Sequence, residues 1–84
     1  MSSAVPNDEF AKKIHDFLRE AFPKSPVVIG SAYGGAYSVK IVGPEFNELE
    51  EEDKQTAVWA KVRNYLKEEA QRIRWIVVYG DDEL

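Results

Sequence analysis

The sequence predicts an α+β domain in the order helix, strand, strand, helix, strand, folded as a three-stranded mixed sheet with both helices packed on it. Three observations predict it. Apolar residues recur at helical spacing in two places: Phe10, Ile14, Phe17, Leu18 and Ala21, and again Val58, Val62, Tyr65, Leu66 and Ala70. The stretch Ala36 to Val42 alternates instead, with Tyr37, Val39 and Ile41 on one side and Ser38 and Lys40 on the other. The second helical stretch also lies between two β-like ones, and such a crossover normally sets its strands parallel in one sheet along a right-handed path.

Each element has a local cause. Asn7 or Asp8 offers a side-chain acceptor to the free N–H groups of helix one, expected from Asp8 to Phe22. Pro23 and Pro26 end that helix, because neither donates an intrahelical hydrogen bond and each disfavours helix at the residue before it. Val27-Val28-Ile29 is a short β-branched strand, and Gly34-Gly35 can take the positive φ of a tight hairpin turn before the second strand, Ala36 to Val42. Gly43-Pro44 closes that strand, with Phe46 and Leu49 expected to anchor the connection on the core. Helix two begins near Glu50. Its first turn carries Glu50, Glu51, Glu52 and Asp53 and its end Lys67 and Arg72, a distribution that suits the helix dipole. Trp75-Ile76-Val77-Val78-Tyr79 reads as a strand buried on both faces, stopped by Gly80 and the acidic Asp81, Asp82 and Glu83, which discourage edge-to-edge pairing. A sheet of this kind leaves at least one edge and part of its second face uncovered, and the free edge offers a route to a homodimer.

Length and composition bound the function. At 84 residues the chain has room for one core, so residues 1–84 read as a single domain with 1–6 as a loose terminus. A hydrophobic fraction of 44% is too high for a disordered chain, yet no apolar run approaches the roughly 20 residues of a membrane helix. The start shows neither a basic, then apolar, secretory signal nor an Arg-rich transit segment, and there is no cysteine, so the expected location is cytoplasmic. A net charge of −4 argues against general affinity for phosphate backbones, which rests on Lys and Arg displacing counterions.

Residues able to do chemistry are few and unclustered. Glu48, Glu50, Glu51, Glu52 and Asp53 fan around a helix start rather than converge on a cation. His15 stands alone on helix one, and Ser25, Ser31, Ser38 and Thr56 occur in no nucleophile-elbow or Ser-x-x-Lys context. Gly30, Gly34 and Gly35 form no phosphate-loop pattern. What remains is contact chemistry. Lys61, Arg63, Lys67, Arg72 and Arg74 give the second half of helix two and the start of strand three a basic lean suited to phosphate, or to pairing with Glu68 and Glu69. Trp59 and Trp75 are the largest apolar groups, both expected in the core, Trp59 also as a candidate partner contact.

The block Tyr37-Ser38-Val39-Lys40-Ile41-Val42-Gly43-Pro44-Glu45-Phe46, followed by Asp53-Lys54-Gln55-Thr56-Ala57-Val58-Trp59, resembles the BolA-like family, in particular its IbaG-type branch. Phe46 stands at that family's Phe of Phe-x-Gly, Val58-Trp59 at its Val-Tyr, and Ile73-Arg74-Trp75 at the Ile-His-Ala that introduces its last strand. The resemblance covers roughly residues 8–80. It implies a class II KH-like fold, a monothiol glutaredoxin as partner in sharing an iron–sulfur cluster, and a role in transcription or cell-shape control. It also implies departures. The cluster-binding histidine is replaced by Arg74, and the hairpin loop Gly30 to Ala36, with Tyr33 at its tip, holds neither His nor Cys. A guanidinium, always protonated, does not ligate iron. Glu48 occupies the glycine of Phe-x-Gly, and the region matching the family's DNA contacts is neutral at the hairpin and acidic at the start of helix two.

The expectation is therefore a non-enzymatic BolA-like adaptor without catalytic residues, cofactor or metal of its own, binding a protein such as a monothiol glutaredoxin. The alternative is a KH-like nucleic-acid-binding regulator using the basic end of helix two. Candidate contacts for either are Trp59, Arg63, Lys67, Arg72, Arg74 and Tyr33.

Overall fold

The computed structural model describes residues 9–84, so the expected cap at Asn7 or Asp8 and the loose terminus 1–6 lie outside the described residues. Helix α1 spans Glu9–Ala21, strand β1 Val27–Ser31, strand β2 Tyr37–Gly43, helix α2 Glu51–Leu66 and strand β3 Ile73–Gly80, with a short 3-10 segment after each of β1, β2, α2 and β3. The strands form one sheet in the order β1-β2-β3. β1 runs antiparallel to β2, setting Val27 opposite Ile41 and Ile29 opposite Val39, while β2 and β3 run parallel. This is the α+β fold the periodicities predict. No helix among the described residues is long and apolar enough to cross a membrane.

The alternation of β2 decides where the core sits. Tyr37, Val39 and Ile41 join Val27, Ile29, Ile76 and Val78 in one buried cluster with Phe10, Ile14 and Leu18 of α1 and Val58, Val62 and Leu66 of α2. Both helices therefore cover the same face. Each fully buried aliphatic side chain there contributes about 1.5–3 kcal/mol relative to exposure. The hairpin closes through Gly34 and Gly35, with φ of 70° and 75°, as a tight turn requires. Gly43 is required for another reason: a Cβ built there would overlap Ser25, which is fully buried and hydrogen-bonded to Glu45.

Several expectations change in the structure. β3 is buried on one face only, since Trp75 and Tyr79 point away from the helices; Trp75 is 47% exposed and is not a core residue. The run of five apolar residues hid that facing. Helix α2 stops at Leu66 rather than continuing to Ala70, because Lys67 turns to φ 57°, ψ −122°, and Lys67–Arg72 follow as a 3-10 segment. Arg72 thus lies beyond the α-helix and cannot serve its dipole. Tyr65 leaves the predicted stripe for the rim, stacked on Phe17 with ring centroids 4.1 Å apart, and Leu49 is exposed while Phe46 is buried.

The residue that takes a place on the buried face of α2 is Lys54, only 2% exposed. Its Nζ donates to Glu83 at 2.5 Å, and Glu83 also accepts the Gly80 N–H at 2.8 Å. Asp82 accepts the Glu48 N–H at 2.9 Å, while its own N–H donates to Asn47 Oδ1 at 3.1 Å. The acidic end after β3 is therefore a clasp over the start of α2, not a free charged tail.

Candidate interaction site

Two surfaces gather the residues singled out by the sequence. The first is the face of the sheet turned away from the two helices. Trp75 and Tyr79 stand on it from β3, Val28 from β1 and Lys40 from β2, the Lys40 ammonium 6.0 Å from the Tyr79 ring centroid. Ser38 lies opposite Trp75, and Val42 opposite Tyr79. An exposed indole and phenol side by side on one sheet face are groups of the kind enriched at contact surfaces.

At one end of this face the register slips. Tyr37 pairs with Ile73 but Ser38 pairs with Trp75, so Arg74 is the extra, unpaired residue of a β-bulge. Bulges re-aim side chains, and here the effect is to leave Arg74 and Trp75 both exposed in succession. The Arg74 guanidinium donates to the Tyr33 carbonyl oxygen at 3.3 Å. A Cβ added at Gly34 would lie 3.8 Å from the same group, so the hairpin tip fits against it without crowding. Tyr33 itself is 87% exposed, its ring free at the tip.

The second surface wraps the Lys67–Arg72 segment. One cleft, about 730 Å³, is lined by Trp59, Arg63, Lys67, Glu68, Ala70, Gln71 and Ile73. A second, about 450 Å³, is lined by Gly34, Gly35, Ala36, Gln71, Arg72, Ile73 and Arg74. Gln71 and Ile73 line both, so the two clefts adjoin, and together they are called the groove, reaching from the α2 indole toward the hairpin tip. Five of the six candidate contacts named from the sequence line it, and the sixth, Tyr33, is tied to it through Arg74.

The groove's cations are held rather than loose. Arg63 lies 4.9 Å over the Trp59 ring, and Arg72 lies 3.9 Å over Phe10 and 5.5 Å from Tyr37. Half-buried Trp59 donates its indole N–H to Gln55 Oε1 at 3.1 Å, and Gln55 Nε2 donates to the Ile76 carbonyl at 2.8 Å, fixing the ring against β3. Lys67 reaches Asn64 at 3.4 Å. The opposing charges are Glu68, which lines the cleft, and Glu69, whose carboxylate is 3.8 Å from Arg72 and 3.2 Å from Lys13. Sequence reasoning found the basic residues by their clustering but had no signal for the groove, which depends on the break at Lys67.

The donor set does not suit a cluster or metal. The chain has no cysteine. His15, the one histidine, lies on α1 with Nδ1 3.5 Å from Asp16, and Arg74 occupies the place the resemblance would assign to a ligand. No group of three or more His, Cys, Asp or Glu converges among the described residues. No family model and no curated protein matches this chain.

Proposed function

We propose that the chain is a non-enzymatic, BolA-like adaptor that binds a protein partner, of which a monothiol glutaredoxin is the first candidate, without contributing a cluster ligand. The observation that carries this reading is the junction of the Tyr33–Gly35 hairpin tip with Arg74 on the β3 bulge, beside the exposed Trp75. Those are the two places where the resembled family keeps its ligands, and the fold brings them together at the edge of an apolar face. Glu48 adds support. It takes φ 65°, a conformation natural to glycine, at the position where the family has the glycine of Phe-x-Gly.

The test is a titration of the ¹⁵N-labelled chain with a reduced monothiol glutaredoxin, with and without its cluster. Shifts are expected at Tyr33 to Gly35, Arg74 and Trp75, and their absence up to about millimolar concentration removes the glutaredoxin version. Nucleic-acid binding is a second reading, favoured by the gathering of Arg63, Lys67, Arg72 and Arg74 along one groove. It predicts affinity that falls steeply with salt, and weak binding that is flat in salt ends it.

A further inference from the structure

The groove between Trp59 and the hairpin tip has a property that neither the fold nor the resemblance requires: it is cationic in a protein of net charge −4. Resting on the adaptor reading, we propose that it receives an extended, carboxylate-rich peptide segment of the partner protein. Charge complementarity sets the sign of the occupant. Four cations, Arg63, Lys67, Arg72 and Arg74, line it against Glu68 within it and Glu69 3.8 Å from Arg72, so cations exceed carboxylates four to two.

The kind of cation suits a pair of anionic oxygens, of carboxylate or phosphate alike. Three of the four are arginines, whose planar fork matches a carboxylate in bidentate fashion. Arg63 and Arg72 are stacked on aromatic rings and Arg74 is anchored on a carbonyl, so little side-chain freedom is lost on pairing. Between them Ala70 and Ile73 supply an apolar floor, on which the aliphatic parts of a peptide rest. At the far end Gly35 leaves open space where a Cβ would stand, letting a backbone approach.

Nucleic acid is the weaker occupant. A phosphodiester chain presents unbroken negative charge, which Glu68 within the groove and Glu69 beside Arg72 oppose. A peptide carries its carboxylates on separate flexible side chains, which turn toward the arginines and away from Glu68 and Glu69, whereas the phosphates are fixed in the backbone. Lys67 supplies the remaining indication. It holds the φ 57°, ψ −122° of the first central residue in a type II′ turn, where glycine is the ordinary choice. A lysine kept in that conformation puts a cation in the groove at the expense of backbone strain, a pattern typical of binding sites.

The test titrates the ¹⁵N-labelled chain at low salt with an acetylated hexaglutamate peptide, a hexaglutamine peptide and hexathymidylate. Hexaglutamate is expected to shift the Trp59 indole N–H and the amides of Gln71 and Arg74, hexaglutamine to shift none. R72Q/R74Q is expected to weaken the hexaglutamate interaction about tenfold or more, and K67G about threefold, with K67G folding at least as well as the parent. The proposal is overturned if hexaglutamate leaves the groove unshifted up to about 10 mM, if both variants bind as the parent does, or if hexathymidylate binds more tightly. Failure here is separable from failure of the adaptor reading. A partner that shifts Trp75 and Tyr79 while hexaglutamate leaves the groove silent removes the groove alone. Occupation of the groove by hexaglutamate, with no shift from any glutaredoxin, removes the glutaredoxin and keeps the groove.

Discussion

Arg74 and Tyr33 are 41 residues apart in the chain, and a single hydrogen bond of 3.3 Å from guanidinium to carbonyl oxygen joins them. The bond exists because β3 carries a bulge at Arg74, which frees that side chain from the alternation of its neighbours. An exposed bond of this kind contributes little to global stability, about 0.5–1.5 kcal/mol at most. Its consequence is local. Arg74→Ala is expected to change the urea midpoint only slightly while raising the fast mobility of Tyr33 to Gly35, read by ¹⁵N relaxation. Unchanged order parameters at the tip would show that the Gly-Gly turn holds itself.

The two faces of β3 make a sharper contrast. Ile76 is buried at 4% exposure, whereas the neighbouring Trp75 is 47% exposed. Truncating Ile76 to Ala removes buried methylenes and leaves a cavity, for about 2–5 kcal/mol of destabilisation. Trp75→Ser leaves nothing unfilled in the core and is expected to cost about 0.5 kcal/mol or less. Denaturant unfolding of the two variants measures the difference, and in the adaptor reading the order reverses for partner affinity.

How much of this was legible depends on the residue. Val39 and Ile41 were readable because Ser38 and Lys40 alternate with them, and a strand's period of two then names the buried face. Trp75 was not, since five apolar residues in succession carry no alternation and imply a second buried face, which no element among the described residues covers. Lys54 was invisible for a different reason. A lysine at a core position needs carboxylate partners, and although Glu51, one turn before it, lies 3.5 Å away, the nearer one, Glu83, lies 29 residues further on, in a segment that reads as a solvated end. The basic residues of the groove were legible as a cluster, but their common cleft required the turn at Lys67, a residue with no sequence signature of a helix stop.

The Lys54–Glu83 pair gives the fold a signed pH response. Glu83 has its pKa lowered, chiefly by the hydrogen bond from Lys54 and then by that from the Gly80 N–H. A carboxylate depressed in the folded state contributes stability above its unfolded pKa and loses it as the pH falls through the folded value. Lys54 has its pKa raised, chiefly by the hydrogen bond to Glu83, so its contribution is full below the ordinary lysine value and is lost as the pH rises past the folded one. Between those limits the clasp is constant. E83Q is therefore expected to lower Tm at neutral pH, with the gap from the parent closing below about pH 4. Asp16, whose pKa is lowered chiefly by His15 and then by Lys12, leaves the variant some acid sensitivity of its own. A gap that stayed constant from neutral to strongly acidic pH would mean the clasp does not depend on the Glu83 charge.

Among the described residues two non-glycines hold positive φ, Glu48 at 65° and Lys67 at 57°, and they separate strain that the fold needs from strain that a site retains. Left-handed backbone costs a side-chain-bearing residue roughly 1–2 kcal/mol, while glycine enters it freely at some cost in unfolded-chain entropy. Both E48G and K67G are thus expected to stabilise the chain, by about 0.5–1 kcal/mol each in denaturant unfolding. Glu48 bends so that its N–H meets Asp82, a bond through the backbone that glycine keeps, so E48G gains stability with the clasp intact. K67G gains stability too but gives up the groove's ammonium. If the two variants were equally stabilised and equally able to bind hexaglutamate, the Lys67 side chain would have no part in the groove. A K67G chain no more stable than the parent would instead place the origin of that turn in contacts of the lysine itself, of which the hydrogen bond to Asn64 is the one to remove next.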